Sequence, residues 1–254
     1  MQTIHIHPKY QHLEEQLLNC IKHFDSKGEY VTKGERNVIK SFIVAYETIN
    51  VKSFKTPKSF NSFVYKYIRK SKARRSFEYA EKLIASDILT PFPIAYIENT
   101  SALGLKESYY ISTHVDYDFD FRELIHNPLF ENRDEILRQF AHFTYKIHES
   151  KINFLDHSPG NTLIVKEGDD YDFYLIDLNR MRFEAMDLPM RMDNLKRLWL
   201  SKKMIRIIAE EYAKISGEPF EKIYTLLSRS SRSFKLKINR KKRLKRKYLK
   251  KGRK

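Results

Sequence analysis

The sequence contains a single cysteine, Cys20, among 254 residues. One cysteine can form neither an internal disulfide nor a thiolate metal cluster, which suits a reducing cytoplasm. Long apolar runs are missing as well. No stretch reaches the roughly 18 uncharged apolar residues of a membrane-spanning helix, and the opening MQTIHIHPKYQHLEEQ has no apolar signal core. We therefore expect a protein that is neither exported by a standard signal nor integral to a membrane.

Two common catalytic motifs are also missing. The serine-nucleophile pattern G-x-S-x-G does not occur. The nine histidines are scattered: His142 and His148 are six residues apart on a predicted helix, and His5 and His7 alternate, so no pair has the spacing of a zinc site. The sequence therefore favours neither a serine hydrolase nor a zinc enzyme.

Positive charge is concentrated at one end of the chain. The formal net charge is +16, and 15 of the 48 Lys and Arg residues fall within residues 229–254, which contain no acid. The other 33 basic residues face 32 acidic ones, so the body is close to neutral. A segment of this kind adheres to nucleic acid or an anionic membrane surface, unless it is only a solvated disordered tail. Its two aromatic residues, Phe234 and Tyr248, are too few for a nucleic-acid stacking platform.

Hydrophobic spacing predicts a β-rich first half. A content of 41% hydrophobic and 13% aromatic residues is typical of one large or two-lobed globular domain. The predicted elements are a helix over residues 12–24, strands over 30–31, 37–44 and 48–54, an amphipathic basic helix over 60–68, a helical continuation SFEYAEKLIASD, and a hairpin of residues 94–97 with 109–115. The basic helix suits either a core face or a membrane interface.

The second half begins with a predicted helix over residues 132–150. There follow the loop NFLDHSPGN, a strand TLIVK, a turn EGDDYD, and a strand FYLID that ends on Asp177. A hairpin brings the ends of its two strands together. We therefore expect Asn161 and Asp177 to lie side by side, with Asp156 projecting from the loop beside them.

These three residues have the chemistry of phosphoryl transfer. An amide oxygen and a carboxylate are hard ligands suited to Mg²⁺, which takes few protein ligands in addition to substrate phosphates. A carboxylate five residues before the Asn can accept a proton from a hydroxyl, as in the order D-x-x-x-x-N, hairpin, Asp. The competing interpretation is that DHSPGN is a polar turn and Asp177 a helix cap. His157 either contacts a phosphate or sugar or is a loop residue bonded to backbone.

The segments DHSPGN and LIDLNR resemble the catalytic and metal-binding segments of the lipopolysaccharide kinases. These enzymes act on 3-deoxy-octulosonate (Kdo) or heptose of the inner core, and they are similar in fold to eukaryotic protein kinases. The resemblance covers about residues 32–200 and is strongest over residues 155–180. It implies that Asp156 is the catalytic base and that Asn161 and Asp177 bind the metal. It also implies an α+β, protein-kinase-like fold with a small β-rich N-lobe and a helical C-lobe.

The same resemblance implies that the first half binds ATP. Lys52 is located where a kinase-like lobe carries the lysine that holds the α and β phosphates, and Lys55 is the alternative. Glu78 is expected to pair with this lysine; Glu81 is the alternative, and either glutamate could be a surface charge. The run ISTHV, residues 111–115, is expected to be the hinge whose backbone binds adenine.

Several features depart from the protein-kinase pattern. There is no G-x-G-x-x-G, and Gly34 is the only glycine near the expected first turn, so another kind of loop must cover the phosphates. Leu155 replaces the Arg that often precedes the base, Asn179 replaces the Gly of D-F-G, and no A-P-E segment follows. These differences argue against a protein kinase regulated through its activation loop.

We predict four segments: an N-terminal helix (1–30), a nucleotide-binding N-lobe (31–115), a catalytic C-lobe (116–228) and a basic tail (229–254). The predicted reaction uses ATP and Mg²⁺ to phosphorylate a hydroxyl of an inner-core sugar, with Kdo as the expected sugar. The expected partners are this lipid A-linked sugar and, through the tail, the anionic inner face of the inner membrane of a Gram-negative bacterium, with no specific nucleic acid. The alternatives are a non-catalytic kinase-like scaffold whose tail binds a polyanion, and an RNA-associated kinase-like enzyme.

Overall fold

The computed structural model describes most of the chain. The described residues are 1–34, 37–54, 70–102 and 104–251, with side chains described up to residue 246. The predicted amphipathic helix over residues 60–68 and the alternative lysine Lys55 lie outside them. None of the described helices is both long and apolar enough to cross a membrane.

The chain divides into two compact units. The first comprises Met1–Asp116 together with the short segment Leu175–Asn179. The second comprises Tyr117–Tyr174 and Arg180–Lys254. The first 30 residues therefore belong to the first unit rather than forming a segment of their own.

A six-stranded antiparallel sheet forms the first unit, in the order β1-β5-β6-β4-β3-β2. Its elements are β1 (Gln2–Ile6), α1 (Glu14–Lys22), β2 (Glu29–Lys33), β3 (Asn37–Val44), β4 (Glu47–Phe54), α2 (Lys72–Ile84), β5 (Pro93–Ser101) and β6 (Gly104–Thr113). The strands predicted from residues 37–44 and 48–54 are confirmed. Strand β1 was not predicted, because QTIHI is too short and polar to show a clear alternation.

The two faces of this sheet pack against different helices because successive side chains of a strand alternate. Ile49 and Val51 of β4 point into a core that includes Leu17 of α1. On the opposite face, Phe54 packs with Phe77 of α2. Lys52 has the same parity as Phe54 and is therefore on the α2 face of β4.

The second unit is mainly helical. Its elements are β7 (Phe119–Asp120), α3 (Phe121–His126), α4 (Arg133–Glu149), β8 (Ile152–Phe154), β9 (Thr162–Glu167), β10 (Asp170–Leu175, whose last residue belongs to the first unit), β11 (Met181–Phe183), α5 (Leu188–Asn194), α6 (Lys202–Ser216) and α7 (Phe220–Lys251). The predicted helix over residues 132–150 is confirmed by α4. Two small sheets, β10-β9-β7 and β11-β8, complete the unit.

One continuous core fills the second unit. Phe140 of α4, Ile208 of α6 and Leu227 of α7 are fully buried in it. Helix α7 continues without a break across the boundary predicted at residues 228/229. Ser231 is buried, and Lys235 donates a hydrogen bond of 2.7 Å to the Leu200 carbonyl, so the first part of the predicted basic tail is packed structure.

Candidate active site

Lys52 and Asp177 form an ion pair in the first unit. Lys52 is in the interior of β4, opposite Ile39 and Tyr110 of the neighbouring strands, and its side chain is only 13% exposed. Its Nζ lies 2.7 Å from Oδ1 of Asp177, although the two residues are 125 positions apart. A cation able to bind phosphates and a carboxylate able to bind a metal are thus in direct contact.

The backbone of Asp177 has a left-handed conformation. Its φ is +59°, a region that costs a non-glycine residue of order 1–3 kcal/mol, although Asp tolerates it better than most. The predicted strand end is wrong by two residues, because β10 ends at Leu175. Asn179 Nδ2 donates to Asp177 Oδ1 at 2.7 Å, and Arg75 Nη1 donates to the Asn179 carbonyl at 2.8 Å. These bonds hold the segment in its strained conformation.

Only one carboxylate oxygen of Asp177 is used by these contacts. Oδ1 accepts from both Lys52 and Asn179. Among the described residues, Oδ2 has no hydrogen-bond donor, so it is available to a hard cation.

Glu78 does not contact Lys52 in this structure. Its carboxylate accepts from Lys70 at 2.7 Å and from Arg74, one turn earlier on α2, at 2.9 Å. Burial by itself raises the pKa of Glu78, but these two hydrogen bonds outweigh it and the pKa lies below its usual value. Within the described parts of the chain, no ion pair joins Glu78 to Lys52, and each of the two residues pairs with another group. The predicted pairing stays a prediction. Glu81 is exposed.

Two backbone amides of the predicted hinge, residues 111–115, already donate hydrogen bonds within the first unit. The Thr113 amide donates to the Phe92 carbonyl at 3.0 Å, and the His114 amide donates to the Thr48 carbonyl at 2.9 Å. Adenine recognition by residues 111–115 would therefore have to use other backbone groups of that run.

Gly34, the glycine nearest the expected phosphate-covering loop, lies between β2 and β3. Gly34 donates to the Asn37 carbonyl at 3.2 Å across the β2–β3 turn. Residues 35 and 36 lie outside the described residues.

Asp156 lies in the loop after β8, in the second unit. Its Oδ1 is 2.7 Å from Nη2 of Arg197, its Oδ2 is 3.5 Å from Nη1 of Arg180, and its side chain is 20% exposed. The adjacent Leu155 amide donates to the Arg180 carbonyl at 3.0 Å, which anchors the loop to the residue before β11. Two guanidinium groups thus orient the candidate base while it remains accessible.

Asn161 closes the same loop. Its Nδ2 donates to the Asp156 carbonyl at 2.8 Å, five residues earlier. This bond orients the amide and leaves Oδ1 without a donor among the described residues, so Oδ1 suits a hard cation. No group of three or more His, Cys, Asp or Glu side chains in the described residues could hold a metal. A metal here would need a site with few protein ligands, which is the Mg²⁺ pattern.

His157 is fully buried and is therefore not a substrate contact. Asn194 Nδ2 donates to the Phe154 carbonyl at 3.0 Å, which fixes its Oδ1 as an acceptor. His157 Nδ1, 3.3 Å from that oxygen, must then carry the proton, while Nε2 faces the Thr162 hydroxyl at 3.4 Å. His148 makes the second contact to the same oxygen, through Nε2 at 3.5 Å.

Both imidazoles are neutral for the same physical reason. Burial lowers the pKa of His157 to about 4 and that of His148 to about 3, and the hydrogen bond to Asn194 only partly offsets this. An uncharged, buried hydrogen-bond network of His148, His157 and Asn194 thus supports the loop that carries Asp156.

Sequence reasoning missed Arg75, Arg180, Arg197 and Asn194. Arg180 could have been suspected because it ends the quoted segment LIDLNR. The other three belong to no recognisable motif, since their importance comes from partners at least 37 positions away in the chain.

Comparisons with known proteins agree with this description. Residues 52–217, about two-thirds of the chain, match the model of the lipopolysaccharide kinase (Kdo/WaaP) family. Among solved structures, one described as "WaaP in complex with acyl carrier protein" is similar with a TM-score of 0.64, at 16% identity, over 92% of this chain and 98% of that one. A search of curated proteins finds no match. The predicted α+β, protein-kinase-like fold is confirmed by the structural similarity.

Proposed function

The chain belongs to the lipopolysaccharide kinase (Kdo/WaaP) family and is therefore a phosphotransferase of the lipopolysaccharide core, and we propose that its acceptor is a hydroxyl of Kdo. The donor is ATP, as the family implies. In the proposed reaction the acceptor oxygen forms a bond to the γ-phosphorus, the bond from that phosphorus to the bridging oxygen breaks, and ADP leaves.

The observation that supports phosphoryl transfer by this chain is the 2.7 Å contact between Lys52 and Asp177. In phosphoryl transfer a lysine would hold the α and β phosphates, and an Asp would hold the metal ion whose charge stabilises the phosphates. Lys52 supplies the first group and Asp177 the second. Glu78 is proposed as the acidic partner of Lys52 when nucleotide is bound.

Asn161 and Asp177 are the proposed ligands of Mg²⁺. Each offers a hard oxygen that no described residue engages, Oδ1 of Asn161 and Oδ2 of Asp177. When bound, Mg²⁺ would neutralise charge on the transferring phosphoryl group.

Asp156 is the proposed catalytic base. It orients the acceptor hydroxyl and accepts its proton as the new bond forms. The two arginines beside it keep the carboxylate in one orientation.

We also propose that the enzyme works at the inner face of the inner membrane of a Gram-negative bacterium. Its acceptor sugar is attached to lipid A, so the catalytic unit must approach an anionic surface. The excess of Lys and Arg in residues 229–254 supports this location.

The test uses purified full-length protein with Mg²⁺-ATP and lipid A carrying Kdo, followed by mass spectrometry of the lipid. We expect one added phosphoryl group, and we expect Asp156→Ala to lower the rate by at least about a hundredfold, the scale of a lost general base. Asp169→Ala, which alters an exposed acid in the β9–β10 turn, is the matched control and should act like wild type. Transfer to heptose alone, or to RNA or protein in preference to Kdo, would refute the Kdo assignment.

A further inference from the structure

A cavity of about 570 Å³ lies next to Asp156, within the second unit. Its wall includes Leu155, the neighbour of the candidate base, and Arg197, which pairs with that base. Residues of β8, β11, α5 and α7 complete the wall, so the cavity is framed by regular elements as well as loop residues. A volume of this size accommodates a monosaccharide acid with its substituents.

The charge of this cavity is predominantly positive. Four cationic side chains line it, namely Arg182, Lys196, Arg197 and Arg229.

Both acidic side chains of the wall are already engaged. Asp187 accepts from the Met190 amide at 2.8 Å as the cap of α5, and Asp193 forms an ion pair with Lys196. Arg182 has only a 3.9 Å contact to Glu184, and Arg229 forms no ion pair with any described residue. The cavity therefore presents two arginines, Arg182 and Arg229, whose positive charge is weakly or not at all neutralised by an acidic side chain.

One N–H group of Arg197 lacks a hydrogen-bond acceptor among the described residues. Its Nη2 donates to Asp156, yet its Nε is buried and has no hydrogen-bond partner among the described residues. A guanidinium presents its N–H groups in a planar fork that matches a carboxylate. An anionic ligand in the cavity would supply the missing acceptor.

We propose that this cavity is the acceptor subsite and that it binds the carboxylate of a sugar acid, with Arg197 and Arg229 as its recognition groups. The proposal rests on the proposed function, because it assigns a substrate class to the same reaction. Arg197 would contact the groups that bind both functional ends of the sugar. It pairs with Asp156, which receives the proton of the reacting hydroxyl, and it would bind the carboxylate of the same sugar. Arg229 acts only in binding, since it does not contact Asp156.

The experiment measures binding of free Kdo by calorimetry and compares it with the carboxamide analogue of the same sugar. Wild type should bind the acid at least about tenfold more tightly, the range of a charge-assisted pair. Arg229→Gln should lose about five- to tenfold in affinity for the acid and little for the amide. Arg229 is exposed on a helix, so this variant should fold; Arg206→Gln, an exposed arginine of α6 outside the cavity, is the matched control.

Turnover of lipid-linked acceptors by the same proteins separates the two proposals. Arg229→Gln should raise KM for the acid-bearing acceptor with kcat nearly unchanged. Equal affinity of wild type for acid and amide, or equal behaviour of Arg229→Gln and Arg206→Gln, would overturn the subsite even if phosphoryl transfer is observed. Tight, Arg229-dependent binding of Kdo without any transfer would instead refute the proposed reaction and leave the subsite intact. Inorganic phosphate that competes as well as Kdo would show a general anion site and would also overturn the sugar-acid assignment.

Discussion

Asp177 and Asp156 are both carboxylates with cationic partners, but their surroundings differ. Asp177 shares one oxygen between Lys52 and Asn179, and its backbone is held in the left-handed region. Asp156 is bound by two guanidinium groups and has an ordinary loop backbone without positive φ. At the scale of single residues, these surroundings suggest a metal ligand in one case and a base in the other.

Nucleotide binding should distinguish the two residues. Asp177→Asn keeps the shape of the side chain and tolerates positive φ, but it removes the charge that a metal requires. We expect its affinity for Mg²⁺-ATP to fall at least about tenfold, the loss of one good charge interaction, whereas Asp156→Asn should stay within about twofold of wild type. Titration calorimetry with and without Mg²⁺ measures both. Equal losses in the two variants would contradict the assigned roles.

At the scale of elements, Asn194 joins three parts of the second unit. It terminates α5, donates to Asn153 and Phe154 of β8, and accepts from His148 of α4. The network is buried, so its members must stay hydrogen-bonded and the histidines must stay neutral.

Acid should weaken this network before most carboxylates titrate. The ordinary histidine pKa of about 6.5 applies to the unfolded chain, whereas the folded pKa is about 4 for His157 and about 3 for His148. The unfolded chain therefore binds protons first, and the free energy of unfolding should fall as pH drops from about 6.5 towards 4, by on the order of 3 kcal/mol for each imidazole. Urea unfolding across this pH range measures the slope.

His157→Gln isolates one member of that pair. The variant should be less stable at pH 8, because a buried hydrogen-bond pattern is disturbed, but its stability should depend less on pH between about 6.5 and 4. His126→Gln, at an exposed position of α3, is the control and should keep the wild-type slope. An unchanged slope in His157→Gln would show that His157 does not carry the proton linkage.

At the scale of the whole molecule, α7 changes from a packed helix at its start to an exposed, strongly basic helix towards its end. The start of this helix is packed: Ile223 and Ser231 are buried, and Phe234 contacts Trp199 at 5.8 Å between ring centroids. From residue 239 to residue 246 the side chains are exposed. Residues 239–254 carry eleven Lys and Arg and no acid, so removing them lowers the net charge from +16 to +5.

Truncation after Ile238 should therefore leave the fold intact and weaken binding to anionic membranes. Each Lys or Arg near an anionic membrane contributes about 1 kcal/mol at best, so wild type should bind anionic vesicles strongly and lose that binding as salt rises. The truncated protein should bind them weakly yet phosphorylate a short soluble acceptor at the wild-type rate. Vesicle co-sedimentation and turnover measure the two effects.

A full-length variant with these eleven residues changed to Gln separates charge from helix length. It should resemble the truncated protein on anionic vesicles, and wild type should bind neutral vesicles poorly. If truncation reduced affinity for RNA alone and left vesicle binding unchanged, the membrane proposal would give way to the nucleic-acid alternative.

The sequence by itself determined the features that depend on local pattern. Segments rich in Val, Ile, Phe and Tyr located β3 and β4, and an i, i+3, i+4 stripe located α4. The spacing of Asp156, Asn161 and Asp177 and the resemblance of their segments led to the kinase family. The basic end of the chain was also evident, because charge can be counted without a fold.

Only the tertiary structure decided which charged groups meet. Lys52 pairs with Asp177 across 125 positions, Glu78 pairs with Arg74 of its own helix and not with Lys52, and Arg197 reaches Asp156. Hydrophobic periodicity arises within one element, whereas the partner of a charged side chain is set by how distant elements pack and which hydrogen bonds remain unfilled after packing. For the same reason the sequence could not tell that His157 faces inward, where burial and a bond to Asn194 keep it neutral.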